Sequence, residues 1–122
     1  MSAGSGRAAV MMVTAASQEQ AALIAHTLVG ERLAACVNLV SPIRSVYRWN
    51  NEVHDDPEHL VIIKTRANLF SKIEARIREM HSYEVPEVIA ISIASGSNPY
   101  LDWIFDSTRA PRLMRARSKR GR

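Results

Sequence analysis

Three short segments of this 122-residue chain are apolar at nearly every position instead of at alternate positions. They lie within residues 9–15 (AVMMVTA), 59–65 (HLVIIKT) and 88–94 (VIAISIA). A strand with one face in water alternates between apolar and polar side chains, so an unbroken apolar run indicates a strand that is buried on both faces. Both faces of one sheet must therefore be covered, and this requirement limits the folds open to the chain.

Amphipathic helices are predicted between these strands. Ser17 is the predicted cap of the first helix, whose apolar residues recur at helical spacing (Ala21, Ile24, Ala25 and Leu28). Asn68 opens the second helix, which carries one apolar stripe (Leu69, Ile73, Ile77 and Met80). A short third helix is predicted after the Gly-Ser-Asn-Pro sequence at residues 96–99.

A long strand is predicted over residues 35–49, bent near Pro42 and followed by a turn at Asn50 and Asn51. An acidic loop, NEVHDDPE, is expected to lead into the next strand. The order is then βαββαβ with a C-terminal helix, which is the ferredoxin-like arrangement of an α+β protein. That fold places its two main helices on one face of the sheet, so we expect a second subunit to cover the other face.

Size and charge predict one domain over residues 9–109, with a loose N-terminus (1–8) and a basic, disordered tail (110–122). The net charge of +4 comes from residues 109–122, which hold seven Lys/Arg and no acid, because residues 1–108 hold nine Lys/Arg and twelve Asp/Glu. A short basic terminus is more typical of a solvated tail than of a nucleic-acid site. The single cysteine indicates a reducing compartment, so a cytoplasmic protein is expected, and no apolar run is long enough to span a membrane.

The sequence lacks the local motifs of several common chemistries. Its five glycines form neither a dinucleotide-binding fingerprint nor a phosphate loop. One cysteine and four scattered histidines match no structural zinc spacing, and no nucleophile elbow is present. A Ser/His/Asp or Cys/His catalytic set whose members meet only in space stays open, but none of the functional hypotheses below requires catalysis, so a non-enzyme is expected.

Two polar clusters remain as candidate sites. HDDPEH, at residues 54–59, is either a transition-metal site or a solvated hairpin tip. HSYEVPE, at residues 81–87, lies between the second helix and the fourth strand, where rigidly positioned loops often carry function. The alternative for this second cluster is a turn with solvated side chains.

Five segments, taken together and in order, resemble the CutA family of divalent-cation tolerance proteins. They are ERLAACVN (31–38), YRWNNE (47–52), IIKT (62–65), HSYEVPE (81–87) and YLDWIFDSTR (100–109). The resemblance implies a tight homotrimer with a ferredoxin-like fold, similar in architecture to PII-type signalling trimers, whose intersubunit clefts bind small effectors. Copper-associated bacterial relatives carry a Cys in the first strand and a His pair before Pro-Tyr. Here Val13 and Met80 occupy two of those places and His81 is retained.

The resemblance and the residues together leave three functional hypotheses open. The first is metal-ion tolerance with weak or indirect binding of copper or another divalent cation, for which Cys36 and His81 are the candidate ligands. Cys36 is otherwise a small buried hydrophobic residue. The second is a PII-like small-ligand sensor, and the third is a stable trimeric scaffold for a partner. The residues expected around the sensor cleft are Tyr47, Trp49, Lys64, Tyr83, Glu87 and Trp103.

Overall fold

The structure is a computed structural model that describes residues 7–109. The predicted tail therefore lies outside the described residues, as does most of the predicted N-terminal segment. The elements, in chain order, are β1 (Ala8–Ala15), α1 (Gln18–Gly30), β2 (Cys36–Trp49), β3 (Glu52–Arg66), a 3-10 turn (Ala67–Leu69), α2 (Phe70–Met80), β4 (Val88–Ser92) and α3 (Asn98–Ser107).

The four strands form one antiparallel sheet in the order β2-β3-β1-β4. This order and the sequence of elements confirm the predicted ferredoxin-like βαββαβ fold with a C-terminal helix. β1 begins at Ala8, one residue before its predicted start. The side chain of Ser17 caps α1 as predicted, since its hydroxyl accepts a hydrogen bond from the Gln20 amide at 3.1 Å.

The core lies between α1, α2 and one face of the sheet. It is built from side chains that are fully buried, including Met11, Val13, Val61 and Ile63 from the strands and Ile24, Leu28, Ile73 and Ile77 from the helices. Burial of each such aliphatic side chain is worth about 1.5–3 kcal/mol. The apolar stripe predicted for α2 is therefore the face that packs on the sheet.

The opposite face of the sheet is only partly covered within one chain. Ile89 and Ile91 of β4 lie in register with Met12 and Val10 of β1 on this face, and they are 48% and 51% exposed. α3 covers one end, where Arg66 donates a hydrogen bond to the Thr108 hydroxyl at 2.9 Å. The remaining apolar surface is what a covering subunit would bury.

The segment predicted as an acidic loop is a strand, so that prediction is wrong. β3 starts at Glu52 and pairs with β2 as far as Trp49, which makes a long two-stranded arm beyond β1. Its charges find partners across the arm: Asp55 accepts two hydrogen bonds from Arg44 at 2.8 and 2.7 Å. The predicted turn is confirmed, because Asn50 and Asn51 have φ values of 51° and 65°.

Candidate functional site

His81 follows the last residue of α2 and is held by both of its ring nitrogens. Its Nε2 lies 2.6 Å from the Thr14 carbonyl oxygen and its Nδ1 lies 3.0 Å from the Tyr83 amide nitrogen. A carbonyl only accepts and an amide only donates, so the ring carries its proton on Nε2. This side chain joins α2 to β1 and orients the loop that carries Tyr83.

Tyr83 and Glu58 form a partly buried polar contact in this region. The Tyr83 hydroxyl donates to the Glu58 carboxylate at 2.6 Å, and Glu58 is only 9% exposed. Burial, and then the hydrogen bond to Glu58, raise the pKa of the Tyr83 hydroxyl. The phenol therefore stays neutral and remains a donor to the carboxylate.

Tyr47 lies on β2, in the arm, and presents a second aromatic ring to the same region. Its hydroxyl donates to Asp56 at 2.7 Å, and its ring stacks on His54 with the centroids 5.2 Å apart. The hydrogen bond to Asp56 is the main reason that the pKa of Tyr47 is raised. His54, Asp56 and Glu58 share one face of β3 because they are alternate residues of that strand.

These groups border a cavity of about 670 Å³ between the arm and the loop that follows α2. Its aromatic walls are Tyr47, Trp49 and Tyr83, and its carboxylates are Glu58, Glu84 and Glu87. No basic side chain lines it among the described residues. Burial, and then the charge of Glu58, raise the pKa of Glu87, as expected where two carboxylates share a site. We call this cavity the acidic cleft.

This cavity, which lies within one chain, is lined by four of the six residues predicted for a ligand cleft between subunits, namely Tyr47, Trp49, Tyr83 and Glu87. Lys64 and Trp103 do not line this cavity in the same chain. Lys64 lies across from Cys36 and donates to the Asn38 side chain, whereas Trp103 packs near Tyr100 in α3. Glu58 was missed as a cleft residue, and its position after a proline in an acidic segment carried no signal of burial.

The two candidate metal ligands do not meet within one chain. Cys36 is partly buried on β2 and lies opposite Lys64, which in turn pairs with Val10. His81 contacts β1 at Thr14, four residues farther along, which is about 13 Å at the usual rise of a strand. A metal ion binds its ligands at about 2 Å, so one chain cannot use both residues on one ion.

The HDDPEH segment does not form a metal centre among residues 7–109 either. No group of three or more His, Cys, Asp or Glu side chains in that part of the chain could hold a metal ion. The side chains of the segment alternate between the two faces of β3. The two faces have different protein partners: Asp55 on one face pairs with Arg44, and Asp56 on the other accepts a hydrogen bond from the Tyr47 hydroxyl.

Comparison with known proteins identifies relatives over almost the whole described chain. Residues 9–107 match the family described as CutA1 divalent ion tolerance protein. The divalent-cation tolerance protein CutA of Thermus thermophilus is 46% identical over 99 residues, which are 81% of this chain and 96% of that protein. The chloroplastic CutA protein of Arabidopsis thaliana is 46% identical over 100 residues, which are 82% of this chain and 55% of that protein.

Solved structures agree with these relationships. The Thermus thermophilus Cut A1 structure matches with a TM-score of 0.82 and 45% identity, covering 84% of this chain and 99% of the other. CutA1 from Oryza sativa matches with a TM-score of 0.83 and 41% identity, covering 88% and 98%. The fold, the aligned residues and the extent of the match agree, and the chain belongs to the CutA1 divalent ion tolerance protein family.

Proposed function

We propose that this chain acts in divalent-cation tolerance as a homotrimer that binds a small ligand in the acidic cleft, with weak or indirect metal binding. The observation that carries the proposal is the cavity itself. It places three aromatic rings and three carboxylates around about 670 Å³. Small-molecule binding sites in proteins combine apolar walls with a few polar groups in this way.

Metal binding is assigned a secondary role because of where Cys36 and His81 lie. A copper ion bound by both would need the two residues from different subunits, and His81 would have to give up a hydrogen bond to free a ring nitrogen. Thiolate and imidazole together would suit Cu(I) better than a hard divalent cation. Retention of copper by the wild-type protein would therefore be weak.

The homotrimer is supported by the sheet. Its second face keeps Ile89, Ile91 and Val40 between 43% and 51% exposed in one chain, although strands of this composition are usually buried on both sides. The arm adds Val46 and Val53, which are 64% and 63% exposed. Contact between copies would bury this surface and would also allow Lys64 or Trp103 of one subunit to approach the cleft of another.

The proposed protein is non-catalytic and cytoplasmic. Its lone cysteine has no disulfide partner in the chain, which suits a reducing compartment. Relatives are found in several compartments, since one is named chloroplastic and one solved structure is described as periplasmic. No helix among residues 7–109 is long and apolar enough to cross a membrane.

Two titrations of the full-length protein test this proposal. Thermal stability is first measured with a panel of small metabolites, using wild type, Tyr47→Phe and Trp49→Ala. A ligand that stabilises wild type, but stabilises Trp49→Ala far less, supports the cleft. Tyr100→Phe is the matched control, because Tyr100 does not line this cavity. Absence of any ligand response would favour the scaffold alternative instead.

Copper retention is then measured by equilibrium dialysis under reducing conditions, with wild type, Cys36→Ser and Cys36→Ala. We expect all three proteins to retain less than one copper per chain. Stoichiometric binding by wild type that is lost in Cys36→Ser would show that Cys36 is a ligand, and the proposal of weak or indirect binding would then be wrong.

A further inference from the structure

A second cavity, of about 540 Å³, lies at the far end of the sheet from the acidic cleft, between the end of β3, the start of α2 and the end of α3. Its charged lining consists of Arg66, Lys72 and Arg109, and no carboxylate of residues 7–109 lines it. The guanidinium of Arg32 lies next to it, because its Nη1 donates to the Arg109 carbonyl at 3.4 Å. The charged side chains that line this cavity are therefore all basic, although residues 1–108 as a whole carry more acids than bases.

These cations are poorly neutralised by the protein. Neither Arg66 nor Lys72 forms an ion pair with a carboxylate of residues 7–109. Arg109 has a carboxylate partner, Asp106, at a distance of 3.6 Å. Burial is the main reason that the pKa of Arg66 is lowered, and the like charge of Arg109 lowers it further. An anion placed between them would relieve this repulsion.

Arg66 is held in place by three contacts with α3 and the residue that follows it. Its Nε donates to the Thr108 hydroxyl at 2.9 Å, its Nη2 donates to the Phe105 carbonyl, and the guanidinium carbon lies 5.3 Å from the centroid of the Phe105 ring. Nη1 has no hydrogen-bond partner within the described part of the chain. A fixed guanidinium with a spare amino group loses little entropy when it binds an oxyanion.

We propose that this cavity binds a phosphate group carried by a small organic molecule. Arginine and lysine are the side chains that recognise phosphate, through charge-assisted hydrogen bonds from guanidinium and ammonium groups. The cavity is larger than a phosphate ion, and Leu69 and Phe105 give it an apolar wall for the organic part. The amide of Asn68 adds a neutral donor. This site is separate from the acidic cleft, so its failure would leave the proposed function untouched.

Binding of inorganic phosphate and of phenyl phosphate to the full-length protein tests the site, measured by phosphorus NMR at constant ionic strength in chloride. We expect saturable binding of one phenyl phosphate per chain, tighter than that of inorganic phosphate. Lys72→Gln and Arg66→Gln should each weaken it about tenfold, the usual effect of losing a hydrogen bond between charged groups. Lys72 is exposed and makes no described ion pair, so its substitution should leave the fold intact.

Arg78→Gln is the matched control, because Arg78 is an exposed arginine of α2 that pairs with Glu74 and does not line the cavity. It should leave the affinity unchanged. Unchanged binding in Lys72→Gln would overturn the proposal, as would loss of binding in the tail variant Arg115→Gln/Arg117→Gln. The proposal would also be overturned if the protein did not bind soluble phenyl phosphate but cosedimented with phosphatidylcholine vesicles that contain phosphatidic acid, and not with vesicles that lack it.

Discussion

Removal of the Tyr83 hydroxyl should measurably destabilise the protein. In Tyr83→Phe the Glu58 carboxylate loses its donor at 2.6 Å while the rest of the ring is kept. A hydrogen bond to a charged group is worth about 1.5–3 kcal/mol. Because Glu58 is 9% exposed, water can replace the hydroxyl only in part, so we expect a loss of about 1.5–2 kcal/mol. For a domain of this size the midpoint of thermal unfolding should fall by roughly 6–12 °C.

The assay is urea and thermal unfolding at one fixed protein concentration, since stability depends on concentration in an oligomer. Tyr100→Phe is the control, because the Tyr100 hydroxyl has no described hydrogen bond, and its change should stay within about 0.5 kcal/mol. The double variant Tyr83→Phe/Glu58→Leu removes both partners and should be less unstable than the sum of the two single changes. A Tyr83→Phe protein as stable as the Tyr100→Phe control would refute the reasoning.

Three further predictions concern the cleft, the core and the tail. Burial raises the pKa of Glu87 above the ordinary value of 4.5, so the folded state binds its proton more tightly than the unfolded chain, and this contribution to stability is lost as the pH rises. The stability of Glu87→Gln relative to wild type, measured by urea unfolding, should therefore increase from about pH 4 to about pH 7. The same stability difference at both pH values would contradict a raised pKa for Glu87. Ile73→Ala should cost about 2–5 kcal/mol in the same assay, because Ile73 is fully buried in the core, and a loss below about 1 kcal/mol would show that the site is not tightly packed. Deletion of residues 111–122 should leave the number of subunits per assembly and the midpoint of thermal unfolding unchanged. A smaller assembly, measured by light scattering, would show that the tail contributes to assembly.

The parts of the fold that the sequence predicts are those set by local patterns. The stripe of α2 points to the core because Ile73 and Ile77 recur at the helical period, and both are fully buried. The unbroken apolar runs correctly indicate the strands β1, β3 and β4. The N-terminal half of β3 was not recognised, because its charges are stabilised by side chains of another strand, as in the pair Arg44 and Asp55.

The candidate site depends more on distant residues. Tyr47 and Tyr83 were expected at a cleft between subunits and line a cavity within one chain, whereas the contact of Glu58 with Tyr83 joins residues 25 positions apart. Cys36 and His81 share a chemistry suited to copper, but Cys36 lies on β2 level with Val10 of β1, whereas His81 follows α2 and contacts β1 at Thr14. Residue type suggested a common site in that case, and only the strand register shows that the two residues of one chain lie apart.

Native mass spectrometry of the full-length protein, loaded with Cu(I) under reducing conditions and then desalted, tests the central claim most directly because it reports assembly and metal content together. We predict a species of three times the chain mass of 13.6 kDa that keeps less than one copper per chain. A monomer at micromolar concentration, or a trimer that retains one copper in every subunit, would contradict a trimer with weak or indirect metal binding.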